Sequence, residues 1–113
     1  MDRSFSLRRG ADFQRVWEEG KSFVHPLVIG RVRANGMGAR RFGFVAGKKI
    51  GKATTRNHAK RLMREAVRLR LPRIVPGWDL ILIARGDAAQ SGFDAVDAAI
   101  ENVLRRAKLL CDA

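Results

Sequence analysis

The hydrophobic positions near the start of the chain indicate a short helix. Phe13, Val16 and Trp17 have the spacing of one helical face. Gly20 stands just beyond them, and glycine often ends helices because it adopts backbone conformations that other residues disfavour. We therefore predict a helix from residue 11 to residue 19.

Two strand-like segments follow, residues 27 to 33 and residues 41 to 46. The sequence between them, ANGMGA, is rich in residues that tolerate tight turns, so the two segments are predicted to form a hairpin. A further short strand at residues 22 to 25 would end ahead of Pro26, because proline lacks the amide N–H that an interior strand position donates.

The second half of the chain reads as helix, strand and helix. Thr54 or Thr55 can cap the start of a long helix, and two prolines mark its exit. The continuous apolar run DLILIA, residues 79 to 84, is typical of a buried central strand. From Phe93 onward, apolar residues at helical spacing predict a terminal helix, which Ser91 could cap.

These elements fit one α+β domain spanning residues 1 to 113, because the chain is long enough for one hydrophobic core but too short for two. A single sheet of about four strands, covered by helices, would bury the apolar faces. The strand at 41 to 46, the long helix and the strand at 79 to 85 form a β-α-β unit if the two strands run parallel.

On a helical projection, the long helix separates into two faces. The basic face spans roughly 140° and consists of Arg56, Asn57, Lys60, Arg61, Arg64 and Arg68. The predicted core-facing stripe lies nearly opposite and consists of Ala59, Leu62, Met63, Ala66 and Leu69, with Val67 close to the basic edge. Glu65 can pair with Arg61 or Arg68 at helical spacing.

The charge distribution changes the interpretation of this helix. The chain has a formal net charge of +12, and residues 40 to 73 hold twelve Lys or Arg against one acid. Basic side chains four positions apart repel by about 0.2–0.5 kcal/mol per pair, so this face favours an external counter-charge. A nucleic acid is the predicted partner, and a membrane is disfavoured because the apolar runs are too short to span one. A solvated helix surface is the alternative interpretation.

The segment GKKIGK before the helix is similar to a phosphate-binding loop, but it does not predict a nucleotide hydrolase. Only three residues separate Gly47 from Gly51, and Ala53 stands where such a loop needs Ser or Thr for magnesium. The segment still offers three basic side chains to a nucleic-acid backbone, those of Lys48, Lys49 and Lys52.

The sequence predicts no catalytic or metal site in the protein itself. Phosphodiester hydrolysis needs clustered carboxylates or a histidine pair, whereas Glu65 is the one acid in the basic third, and His25 and His58 have no partner at ligand spacing. The single cysteine, Cys111, cannot form an internal disulfide and fits a reducing compartment. No protein-bound cofactor is predicted.

The segment GKKIGKATTRNHAKRLMREAVR, residues 47 to 68, resembles the signature of the protein-component family of bacterial ribonuclease P. That signature has a K-K-x-G-K-A lead-in followed by R-N-x-x-K-R-x-x-R-E-x-x-R. The resemblance extends over nearly the whole chain through DFQRVW, the FGF strand and GWDLILIAR. Three features depart from the family: His58 stands where arginine is common, Thr54 and Thr55 replace a more apolar pair, and the chain has no tyrosine.

The resemblance implies a two-layer α-β sandwich of the ribosomal protein S5 domain 2-like type, with the order α-β-β-β-α-β-α and a left-handed β-α-β crossover. It implies a cytoplasmic protein that binds a catalytic RNA and the 5′ leader of precursor tRNA, while the RNA and its Mg²⁺ remove the leader. The helix from Arg56 to Arg68 would contact the RNA subunit. Phe13 and Trp17 match the leader-binding aromatic positions.

Two alternatives stay open at this stage. A noncatalytic structural RNA-binding protein, such as a ribosomal component, would also carry a basic helix. Phe13 and Trp17 could serve core packing instead of stacking on bases. No membrane association and no obligate protein partner are expected.

Overall fold

The computed structural model describes residues 6–7 and 10–111 of the chain. Helices and strands follow one another in the predicted order α-β-β-β-α-β-α. Their bounds are α1 Ala11–Glu19, β1 Lys21–Val24, β2 Val28–Ala34, β3 Arg40–Ala46, α2 Ala53–Arg70, β4 Trp78–Ala84 and α3 Phe93–Arg106. Short 3₁₀ turns, Lys48–Ile50 and Leu71–Arg73, flank α2.

The four strands form one mixed sheet in the order β1-β2-β4-β3. The predicted hairpin between residues 27 to 33 and 41 to 46 is wrong, because β4 lies between β2 and β3 and pairs with both. Apolar residues on both faces of β4 are buried, and such a strand is most stable at the centre of a sheet. The short strand predicted at 22 to 25 is confirmed as β1, and it forms the hairpin with β2.

The β-α-β unit is confirmed, since β3 and β4 run parallel with α2 between them in the chain. Alternating side chains of β4 point to two different cores. Leu80 and Leu82 join the main core beneath α2 and α3. Ile81 joins a smaller cluster with Leu7 and with Val16 of α1. Helix α1 therefore covers the opposite face of the sheet from α2 and α3.

The buried side of α2 is rotated relative to the predicted stripe. Leu69 was placed in the core but is 55% exposed, whereas Val67, placed at the basic edge, is fully buried. Ala59, Met63 and Ala66 are buried as predicted. This difference arises from tertiary packing. Helix α2 packs against both the sheet and α3, so these two neighbours decide which of its side chains are buried.

Neither of the predicted helix caps forms. Helix α2 begins at Ala53 with Lys52 as the N-cap residue and no side-chain cap, so Thr54 and Thr55 fall inside its first turn. Helix α3 likewise has no side-chain cap at its N-terminus. The Ser91 hydroxyl instead donates to the Asp87 carbonyl at 2.8 Å.

Arg70 joins the end of α2 to α3 through a cluster of ion pairs. Its side chain is 11% exposed and pairs with both Asp97 and Glu101, with 2.7 Å from Nε to a Glu101 oxygen. The same guanidinium donates to the Ala66 carbonyl at 3.0 Å. The hydrogen bond from Arg70 holds the pKa of Glu101 below its ordinary value, against the opposing effect of burial. This cluster fixes the orientation of α2 and therefore of its basic face.

Acid should weaken this connection. Because the folded-state pKa of Glu101 is lowered, the stabilisation is complete above about pH 4.3 and is lost as the pH falls through the lowered value. We expect Glu101→Gln to reduce the free energy of unfolding by on the order of 1 kcal/mol near neutral pH, and to shrink the stability difference between about pH 7 and about pH 3. Urea unfolding at both pH values measures this. Glu18→Gln, which removes an exposed carboxylate on α1, should leave the difference nearly intact, and an equal effect of both variants would contradict the assignment.

Candidate nucleic-acid interface

The structure brings the predicted basic face together on one side of α2. Asn57, Arg61, Arg64 and Arg68 are exposed, while Arg56 and Lys60 are half-buried. The half-buried pair stands at the border of the face because the buried arc of α2 is rotated towards it. The whole set of six residues nonetheless has access to solvent.

Two of the arginines on the basic face are already held by protein groups. Arg68 makes a two-point hydrogen bond to Glu65, with 2.9 Å from Nε to Oε2, so the Arg68 alternative for Glu65 is the one that forms. This bond lowers the pKa of Glu65 and raises that of Arg68. The Arg64 guanidinium lies 5.2 Å from the centre of the Phe44 ring, a cation–π contact. Arg64 and Arg68 are thus oriented before any ligand arrives.

The first turn of α2 differs from those of α1 and α3, which contain Asp12 and Asp94. It contains no acidic residue and no side-chain cap, so its free N–H groups point outward. The Arg56 Nε is buried and has no hydrogen-bond partner among the described residues. Three exposed lysines precede this turn, Lys48, Lys49 and Lys52. A phosphate group has the charge and the acceptors that this end of the helix lacks.

A cleft on the opposite face of the sheet contains the two predicted aromatic residues. The rings of Phe13 and Trp17 are stacked, with centroids 6.1 Å apart and planes 12° apart. Trp17 is 44% exposed, whereas Phe13 is half-buried and packs against the smaller core cluster. Core packing thus explains the position of Phe13, but it does not explain the exposed ring of Trp17. We name this the aromatic cleft, a cavity of about 320 Å³ lined by Gly10, Phe13, Gln14, Trp17 and Val45.

Gly43 on β3 makes room for the Phe13 ring. A Cβ at this position would lie 3.2 Å from the ring and 3.3 Å from the Leu7 carbonyl oxygen, closer than ordinary van der Waals contact. Any larger residue would push Phe13 towards the cleft. The glycine in the FGF strand therefore sets the depth of the aromatic cleft.

The aromatic cleft continues into a second cavity of about 650 Å³ that shares Trp17 and Val45. Lys48, Lys49 and Arg85 also line this second cavity. The continuous surface thus combines stacked rings, apolar side chains and basic side chains. Sequence analysis missed Arg85, which follows the last residue of β4; its position at the end of a buried strand was the available signal.

A buried ion pair holds α1 over the sheet and was also missed. The Asp79 carboxylate is buried and accepts two hydrogen bonds from Arg41, at 2.8 and 2.7 Å. The remaining Arg41 nitrogen donates to Asp12 of α1 at 3.0 Å. The bond to Asp79 raises the pKa of Arg41, and the bond to Asp12 adds to that shift. The sequence signal was an acid beginning an otherwise apolar strand, which can only be buried with a partner.

The other end of α1 is fixed by a second arginine. Arg31 of β2 donates from Nε to the Val16 carbonyl at 3.2 Å and from Nη1 to the Ser22 hydroxyl at 2.7 Å. Arg31 and Arg41 therefore anchor the two ends of the helix that carries Phe13 and Trp17.

The described residues contain no group of three or more His, Cys, Asp or Glu side chains that could hold a metal ion. The Nδ1 atom of His25 accepts a hydrogen bond from the Leu27 amide at 3.1 Å, which is a turn-stabilising role. His58 is exposed on α2 and Cys111 is an exposed free thiol. Within residues 6–7 and 10–111, no helix has both the length and the apolar character needed to cross a membrane.

Comparison with known proteins agrees with the resemblance of the signature segment. A family model described as Ribonuclease P matches residues 1–108. The ribonuclease P protein component of Roseiflexus sp. (strain RS-1) is 40% identical over 111 residues, which cover 97% of this chain and 91% of that protein. The protein of the same name from Clostridioides difficile (strain 630) is 36% identical over 106 residues and 93% of each chain.

Solved structures share the same fold. The RNase P protein of Staphylococcus aureus superposes with a TM-score of 0.86 at 29% identity, over 96% of this chain and 99% of that one. The RNase P protein of Thermotoga maritima gives a TM-score of 0.80 at 35% identity, over 89% and 96% of the two chains. Sequence, fold and motif thus agree along almost the full length, and the chain belongs to the ribonuclease P protein family, whose members are subunits of the endoribonuclease that processes tRNA 5′ ends.

Proposed function

We propose that this protein binds the catalytic RNA of ribonuclease P through α2 and the 5′ leader of precursor tRNA through the aromatic cleft. The observation that carries the proposal is the placement of the two surfaces. The basic face lies on one side of the sheet and the aromatic cleft on the other, so two different RNA segments can be held at once.

The RNA subunit would lie along the basic face, with phosphates on Arg56, Lys60, Arg61 and Arg64. Arginine provides a planar fork for phosphate oxygens, and Asn57 can reach sugar or base as donor and acceptor. Arg68 would join through the guanidinium edge that Glu65 leaves open. The lysine-rich turn before α2 would extend this contact at the electropositive end of the helix.

The leader would enter the aromatic cleft as a single strand. Exposed bases stack on aromatic faces without sequence-specific hydrogen bonds, which suits leaders of differing sequence. Trp17 offers the larger open ring face, and Phe13 supports it from behind. Arg85, which lines the second cavity beside the aromatic cleft, would hold a leader phosphate.

The RNA subunit and its bound Mg²⁺ would carry out the cleavage. The protein would contribute by holding the substrate and by offsetting repulsion between two RNA chains.

Reconstitution tests the proposal. The chain, a bacterial ribonuclease P RNA and precursor tRNA are combined at low Mg²⁺, where we expect faster release of the 5′ leader than with RNA alone. No gain over RNA alone would refute the assignment. Co-purification of cellular complexes addresses the ribosomal alternative, since recovery of ribosomal RNA without ribonuclease P RNA would favour that alternative.

Trp17→Ala should weaken the binding of precursor tRNA more than the binding of mature tRNA. Losing one stacked base costs about 1–3 kcal/mol, so we expect a loss of roughly 5- to 150-fold in precursor affinity for the holoenzyme. The exposed position of Trp17 predicts little change in the free energy of unfolding. Equilibrium binding of precursor and mature tRNA to the reconstituted holoenzyme measures the difference. Trp17→Phe, which keeps a ring, should retain most of the preference; an equal loss for both tRNAs would exclude stacking on the leader.

A further inference from the structure

A pocket between α2 and the start of α3 differs from the rest of the basic face because apolar side chains line it together with charged ones. It is a cavity of about 490 Å³, a size typical of small-ligand pockets. Leu62 of α2 and Phe93, the first residue of α3, supply its apolar lining. Both side chains are half-buried and pack against the main core from outside, so part of each remains open to a ligand. We name it the inter-helix pocket.

The polar groups around this apolar lining are of two kinds. His58, Arg61 and Arg64 provide a basic rim. Glu65 stands among them, and its two oxygens are held by Arg68. A carboxylate at this point repels a phosphate, although each of its oxygens keeps a free lone pair that can accept an N–H. The pocket therefore offers an apolar surface and an acceptor inside, and positive charge at the edge.

A single nucleotide has the matching chemistry. Its base has an apolar face for Phe93 and N–H groups for Glu65, and its phosphates match the basic rim. A phosphate alone would leave the Phe93 ring uncovered and would meet the Glu65 charge. An aliphatic ligand would leave the rim without a counter-charge. Charge complementarity and shape thus favour an unstacked nucleotide over either.

We propose that the inter-helix pocket receives one unstacked nucleotide of the bound RNA, with its base against Phe93. The proposal rests on the binding of RNA by α2 and adds to it a non-electrostatic contact. Single-stranded loops and bulges of folded RNA present such bases, so the partner would be an irregular segment of the RNA subunit and not a continuous duplex. The pocket would then add a contact that depends on position along the RNA, whereas the electrostatic attraction to phosphates alone allows a protein to slide along a nucleic acid.

Phe93→Leu and Phe93→Tyr test this with the full chain and a bacterial ribonuclease P RNA. Leucine preserves packing against the core but removes the ring face, so we expect affinity for the RNA to fall about 5-fold or more. The slope of log affinity against log salt should not change, because no phosphate contact is removed. Tyrosine keeps the ring and should bind within about twofold of the wild type. Thermal unfolding of both variants checks that folding is intact.

A second measurement needs no variant. Hydroxyl-radical labelling of the wild-type chain should show protection of Phe93 in the complex with the RNA, but not in a complex with polyphosphate, which has the charge and no bases. Equal protection by both polymers, or wild-type affinity of Phe93→Leu, would overturn the nucleotide pocket while leaving RNA binding by α2 in place. Failure of the wild-type chain to bind the RNA would refute the proposed function itself.

Discussion

Replacing Arg61 and Arg64 together with glutamine should weaken binding to the ribonuclease P RNA by about 25- to 60-fold at 0.1 M salt, the largest effect on affinity for that RNA that the structure predicts. The estimate follows from two lost phosphate contacts, each contributing about 0.7 to 0.9 to the salt slope. Filter binding across a salt series should therefore show the slope reduced by roughly 1.4 to 1.8.

Folding should survive this double substitution. Arg61 is exposed, and Arg64 would lose its contact with the Phe44 ring, worth about 0.5–1 kcal/mol at an exposed site. Lys108→Gln provides a control, since it also removes a positive charge but lies beyond the end of α3 and is not part of the basic face. We expect that control to change the slope little. A double variant with the wild-type slope would assign both arginines to a solvated surface.

Arg41→Ala should cause the largest loss of stability. It would leave the buried Asp79 carboxylate without its charged partner, and breaking a buried pair in this way costs about 3–5 kcal/mol. For a domain of this size we expect the melting temperature to fall by more than about 10 °C. Affinity for the leader should also decrease, because α1 loses its anchor at Asp12.

Two further variants separate these effects. Asp12→Asn removes only the exposed half of the contact, so stability should change by less than about 1 kcal/mol. The double variant Arg41→Ala with Asp79→Ala should be no less stable than Arg41→Ala alone, because it leaves no buried charge unpaired. Calorimetry on the three variants distinguishes the cases. A further loss of stability in the double variant would show that the loss in Arg41→Ala does not come from leaving the buried Asp79 charge unpaired.

Local patterns were sufficient where neighbouring residues decide the structure. The helix expected at residues 11 to 19 coincides with Ala11–Glu19, and the run DLILIA becomes the central strand. The hairpin between the second and third strands failed for a physical reason. A turn-rich connection shows that two strands can lie near each other, but the strand that pairs between them comes more than thirty residues later.

The residues of the candidate site could be predicted from the sequence, but the ion pairs that hold their helices in place could not. Charge spacing identified the basic face, and the aromatic pair followed from the family resemblance. The Arg41–Asp79 and Arg70–Asp97 pairs join residues 38 and 27 positions apart, so no local pattern indicates them. The same holds for the rotation of α2, since the exposure of Leu69 depends on where α3 packs.

The position of β4 in the sheet has a consequence for synthesis of the chain. Strands β2 and β3 are synthesised well before β4, but they do not pair with each other. Until Ala84 has emerged, the β1–β2 hairpin and β3 lack the strand that joins them into one sheet, and α2 has only β3 of the sheet to pack against. We therefore expect the strongly basic segment to have the least support from folded structure, and to be most open to binding other RNA, before β4 is synthesised.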